Sequence, residues 1–88
     1  MPGLPFINVV VGAAKIMYLT SPEGNKEAFK IVKNTCEGLL KAGQECSIEL
    51  SFTPGENGRY LSDLLVPVRE DGGIREEVQR VMLIANLP

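Results

Sequence analysis

The sequence predicts an all-β, antiparallel domain, and three observations carry that prediction. Over residues 46–52, Cys46, Ile48, Leu50 and Phe52 alternate with Ser47, Glu49 and Ser51, the period-two pattern of a strand with one face buried. Turn-forming clusters punctuate the chain at 21–25 (Ser-Pro-Glu-Gly-Asn), 53–58 (Thr-Pro-Gly-Glu-Asn-Gly) and 70–73 (Glu-Asp-Gly-Gly), where proline presets φ and glycine and asparagine tolerate left-handed backbone. Strand-like stretches therefore recur about every 8 to 12 residues, the spacing of a sandwich or barrel.

Residues 1–5 carry two prolines and a glycine and read as an extended lead-in. Residues 6–11 are apolar and β-branched and predict a first strand, stopped by Gly12. A second follows over 14–20, with Ile16 and Tyr18 alternating against Met17 and Leu19. Residues 26–41 support two readings. Phe29, Val32, Cys36, Leu39 and Leu40 fall at helical spacing between Asn25 and Gly43, which could cap a helix. Against that, Asn34-Thr35-Cys36 are poor helix formers, and Phe29 with Ile31 alternates as a short strand does. Local pattern leaves this segment open.

After the strand over 46–52, Asn57-Gly58 is the pair most tolerant of positive φ, and residues 60–68 form the return strand. Tyr60, Leu64, Val66 and Val68 share its inward face with Ser62, which places the strand's start near a sheet edge. The last predicted strand covers 78–85, its inward set being Val81, Leu83 and Ala85. The sequence shows no internal repeat and no low-complexity tract.

With 88 residues the chain suffices for one core and hardly two, so a single domain over 1–88 is expected. Its composition, 44% hydrophobic and 23% charged, is that of a globular protein rather than a disordered one. A net charge of −2 with nine scattered basic residues argues against a nucleic-acid partner, whose phosphates demand clustered Lys and Arg. Lys26, Lys30 and Lys33 are interrupted by Glu27 and apolar residues and read as a solvated face. No run of about 18 apolar residues is present, so membrane insertion is not expected. The apolar region 7–19 is broken by Asn8, Gly12 and Lys15, and it lacks the basic lead and cleavage site of a signal peptide.

Residues 29–36 (Phe-Lys-Ile-Val-Lys-Asn-Thr-Cys), Leu40 and Gly43, then 46–54 (Cys-Ser-Ile-Glu-Leu-Ser-Phe-Thr-Pro) and Gly58 taken together resemble the ASH, or choice-of-anchor D, group of immunoglobulin-like, PapD-like domains. In that family a strand ending near a first cysteine is followed by a leucine and a glycine. A second cysteine opens a strand that ends in Phe-x-Pro, with a glycine just beyond. The likeness covers most of the chain, with residues 6–12 similar to the family's opening strand and 81–85 to its closing one. It implies an immunoglobulin-like antiparallel sandwich of about six to seven strands. Two departures accompany it: the interval from Thr20 to Phe29 is short for the strand the family carries there, so one edge strand is expected to be reduced, and Thr20-Ser21-Pro22 stands where an Asn-x-Gly would follow the second strand. The resemblance tips 26–41 towards a strand ending near Asn34, with at most a short helical turn over 37–40.

The chain contains no histidine, which removes the commonest general base and metal ligand, and two cysteines fall short of a zinc site. Cys36 and Cys46 stand ten positions apart, far from the C-x-x-C spacing of redox catalysts. A structural disulfide is the preferred reading, beside two buried thiols or reactive chemistry, and it implies an oxidising compartment. Glu70-Asp71 and Glu76-Glu77 are the only carboxylate pairs that could do acid–base work or bind calcium, but they lack EF-hand spacing and read as solvated loop. Gly72-Gly73 are followed by no Lys-Ser or Lys-Thr and form no phosphate loop. Gly43, Phe52, Pro54 and Gly58 read as structural, with Phe52 filling the core and Pro54 ending the ladder.

No catalytic residue, metal ligand or cofactor is therefore expected. The expected function is a structural or adhesive interaction domain of a cell-envelope, extracellular or assembled (filament or virion) protein, working through loops and sheet edges on a protein partner or on itself. The alternative is a cytosolic adaptor with reduced cysteines.

Overall fold

The structure, a computed structural model, describes residues 7–22 and 27–88. The lead-in over 1–5, Phe6 at the head of the first predicted strand, and Glu23, Gly24, Asn25 and Lys26 lie outside the described residues. Among those described no helix forms, and the elements are strands β1 (Val9–Val11), β2 (Lys15–Thr20), β3 (Phe29–Asn34), β4 (Gly38–Leu40), β5 (Ile48–Phe52), β6 (Gly58–Glu70) and β7 (Glu76–Leu87). All their pairings are antiparallel, in one sheet of five strands and one of two. The chain is an all-β sandwich.

β6 organises the larger sheet. One of its edges pairs with β7 from Gly58↔Leu87 to Arg69↔Glu76 without a register shift. The other edge is shared: β2 takes Leu61 to Leu65, and β1 takes Val68 to Glu70. The gap between them lies opposite Pro67, a residue that weakens a central strand because it has no N–H to give. Here the Pro67 carbonyl accepts from Gly12 N at 2.8 Å, and since a strand residue's N–H and C=O point the same way, its missing donor faces that break. A side chain at Gly12 would meet Pro67 Cγ at 2.8 Å, so glycine is what allows the approach. β4 completes this sheet on the far edge of β1, through Val9↔Leu40 to Val11↔Gly38.

The smaller sheet is β3 against β5, Phe29↔Phe52 to Asn34↔Ile48, with a bulge between Ile31 and Lys33. It covers one end of the larger sheet. There Ala28, Phe29 and Tyr60 form the buried centre, with Ile16, Leu83, Ala85 and Leu87 packed around them. Tyr18 also joins the layers, its hydroxyl donating to the Phe29 carbonyl at 2.8 Å. Tyr60 donates through its hydroxyl to the Glu56 carbonyl at 2.5 Å, four residues upstream, and so ties the loop before β6 to the core.

Four expectations need correction. Residues 38–40 form β4 rather than a helical turn, because β1 offers them a sheet edge. Ser62 marks no edge: it is buried on a strand flanked on both sides. Val81 shares the inward face with Leu83 and Ala85 but stays exposed, because the two-stranded sheet does not reach it. Phe52 sits at the rim of the core, with its ring partly open to solvent.

Burial raises the Tyr18 phenol above its ordinary ionisation range, and the nearby Glu27 carboxylate adds to the effect. Folding therefore holds this proton, so Tyr18's contribution is complete below a pH of about 10 and is lost as pH climbs through the raised value. Urea unfolding of wild type and Tyr18→Phe between neutral pH and pH ~11 tests this: the wild-type midpoint is expected to fall more steeply than the variant's above pH ~10. Parallel curves would remove Tyr18 as the cause.

Candidate functional site

The cysteine pair is bonded, with Cα atoms 4.9 Å apart, inside the normal range for a disulfide. The loop it closes leaves the smaller sheet after β3, lends β4 to the larger sheet, and returns to β5. Just outside the bond, Thr35 N donates to Ser47 O at 2.9 Å and Ser47 N donates to Thr35 Oγ1 at 2.9 Å, while Cys36 N donates to Asn34 Oδ1 at 2.8 Å. The loop's tip is a turn at Gly43, whose φ of 82° favours glycine, held by Lys41 N donating to Gln44 Oε1 and Ala42 N donating to Asn8 Oδ1. This is a tied structural loop. β5 ends at Phe52, Thr53 N still donates to the Ala28 carbonyl at 2.8 Å, and Pro54 comes next, while Gly58 opens β6 at φ 144°.

The structure does not gather the carboxylates of Glu70, Asp71, Glu76 and Glu77 into a site. All four are exposed beside the β6–β7 turn, and among the described residues no group of His, Cys, Asp or Glu could hold a metal ion. A groove of roughly 350 Å³ near that turn is lined by residues including Arg69, Glu70, Arg75 and Glu77, charges of both signs. Lys30 and Lys33 are exposed. Among the described residues no helix is long and apolar enough to cross a membrane.

The feature that sequence reasoning missed is the outer face of the larger sheet. Residues paired across an antiparallel ladder share a face, so the registers place Met17, Leu61, Asp63, Leu65, Val78, Arg80, Met82 and Ile84 together, opposite the core. Met17, Leu19, Val78, Met82 and Ile84 are each between 44% and 59% exposed. In their midst Asp63 is 5% exposed, with Met17 on one side of it and Met82 on the other. Its Oδ2 lies 3.5 Å from Arg80 Nε, and its Oδ1 is buried with no hydrogen-bond partner among the described residues. The signal was present: Leu61 and Leu65 are apolar on the face opposite Tyr60 and Leu64, and a strand apolar on both faces is one meant to be covered twice.

A buried carboxylate with one satisfied oxygen is stabilised mainly by its cation, so Arg80→Ala is expected to lower stability by about 1–2 kcal/mol, less than for a fully buried pair because Arg80 itself stands in water. Replacing both partners at once, Asp63→Leu with Arg80→Met, is expected to restore or exceed wild-type stability, since the surroundings are apolar. Denaturant melts of the three proteins check both signs. A double variant weaker than Arg80→Ala would refute the account.

No family model matches the chain, and no curated protein or solved structure does either.

Proposed function

We propose that this chain is a non-enzymatic structural or adhesive interaction domain of a cell-envelope, extracellular or assembled protein, such as a filament or virion component. The observation that carries the reading is the uncovered apolar face of β2, β6 and β7. Contiguous exposed apolar surface on a small domain marks an interaction site, and this one flanks a long sheet edge. The tied Cys36–Cys46 loop supports an oxidising compartment. The resemblance of the segment from Cys36 to Gly58 to the ASH group supports an immunoglobulin-like interaction module, and the net charge of −2 favours a protein partner over nucleic acid. The exposed positions of Glu70, Asp71, Glu76 and Glu77 favour a role without catalysis.

The test is thiol state in the protein taken from its own source. Alkylation before any reductant is expected to leave both cysteines unmodified, with an intact mass two hydrogens below that of the reduced chain. Two freely alkylated thiols would overturn the envelope or extracellular assignment and favour a cytosolic adaptor.

A further inference from the structure

The outer edge of β7 has no neighbour among the described residues, and its sequence is that of a strand that should have one. Residues 81–85, Val-Met-Leu-Ile-Ala, are apolar without interruption, so both faces of this edge are apolar: Met82 and Ile84 on the outer face, Val81, Leu83 and Ala85 on the inner. Natural edge strands guard themselves with charges, prolines, bulges or short length. Over residues 81–85 none of these is present, and β7 runs for 12 residues with no register shift against β6.

We infer that β7 is a dimerisation strand whose occupant is the β7 of a second copy, joined antiparallel to make one continuous sheet. Which backbone groups are free follows from Pro67. Its carbonyl faces the β1–β2 edge, so Pro67 and Val78 are a non-hydrogen-bonded pair on the β7 side, and the alternate pairs carry the β6–β7 hydrogen bonds. Val78, Arg80, Met82, Ile84 and Asn86 therefore turn their N–H and C=O outward. A two-fold axis at Leu83 pairs the two strands so that these outward groups meet: Met82 opposite Ile84 of the other copy, Arg80 opposite Asn86, and, between them, Val81 opposite Ala85 and Leu83 opposite Leu83. In that register the apolar run meets itself from end to end. The Glu76–Glu77 pairs go to opposite ends of the ladder, whereas a parallel alignment would set them side by side, where like charges repel.

This inference rests on the interaction role proposed above, but its readout is oligomeric state, which thiol alkylation does not report. Sedimentation of the oxidised chain across micromolar to millimolar concentration is expected to show a reversible monomer–dimer equilibrium. Ile84→Pro removes an N–H that points away from β6, so it leaves the β6–β7 ladder complete and is expected to weaken dimerisation at least tenfold, with the circular dichroism of the monomer retained. Ile84→Lys, a second variant at an exposed position, is expected to do the same. Asn86→Glu, which brings a carboxylate to the other copy's Arg80, is expected to tighten the dimer, and Asn86→Lys to loosen it. A chain that stays monomeric at millimolar concentration overturns the inference, and so does a dimer indifferent to residue 84. A dimer that responds to Ile84→Pro but not to the sign of the charge at residue 86 overturns the register.

Discussion

Phe29→Ala is expected to cost about 3–5 kcal/mol, out of a total that for a small domain is about 5–15 kcal/mol. The expectation follows from how little joins the two sheets. Phe29, from the smaller sheet, stacks on Phe52 with ring centroids 4.7 Å apart, and Phe52 meets Tyr60 of the larger sheet edge-on at 5.1 Å. Phe29 and Tyr60 are buried, so removing the Phe29 ring leaves a cavity that β3 cannot fill without giving up its pairing with β5. Phe52→Ala should cost less, because that ring is already partly in solvent. Urea unfolding followed by circular dichroism measures both, and each kcal/mol should appear as a Tm shift of about 4–8 °C. A loss below ~1 kcal/mol for Phe29→Ala would mean that the layers are held together elsewhere.

That core was only partly legible from the residues. Alternation over 46–52 identified β5, and Gly43 was singled out at a position where positive φ now shows why glycine is wanted. Pattern alone could not reveal β4, because a three-residue strand has no period to detect and exists through pairing with Val9–Val11. Ser62 misled for a related reason: a small polar residue looks like an edge marker until the distant β7 is known to cover the other side of β6. The resemblance decided 26–41 rightly as far as Asn34, where the 3.6-residue spacing of Phe29, Val32 and Cys36 pointed equally to a helix. The outer face is not legible one strand at a time, because which residues share it depends on the registers of β2, β6 and β7. Asp63 and Arg80 become neighbours only once the β6–β7 register is known.

Replacing Cys36 and Cys46 together by serine, or reducing the bond, is expected to lower stability by about 3 kcal/mol, the loop-closure entropy that the bond removes from the unfolded chain. Most of that loss should be felt in the unfolded state. In the folded one, Thr35 and Ser47 hold the loop's base through their own hydrogen bonds, and Asn34 holds Cys36 N, so the strands on either side keep their places. Two signatures separate this from damage to the fold. The urea m-value should rise, because an unlinked unfolded chain exposes more surface. Hydrogen exchange should quicken first in β4, which is held by three residue pairs to β1 and by Ala42 N donating to Asn8 Oδ1, while β6, paired on both edges, should change only with global stability. If exchange instead rose evenly across β3, β5 and β6 with an unchanged m-value, the bond would be organising the native sandwich itself. Loop entropy would then be the wrong account of it.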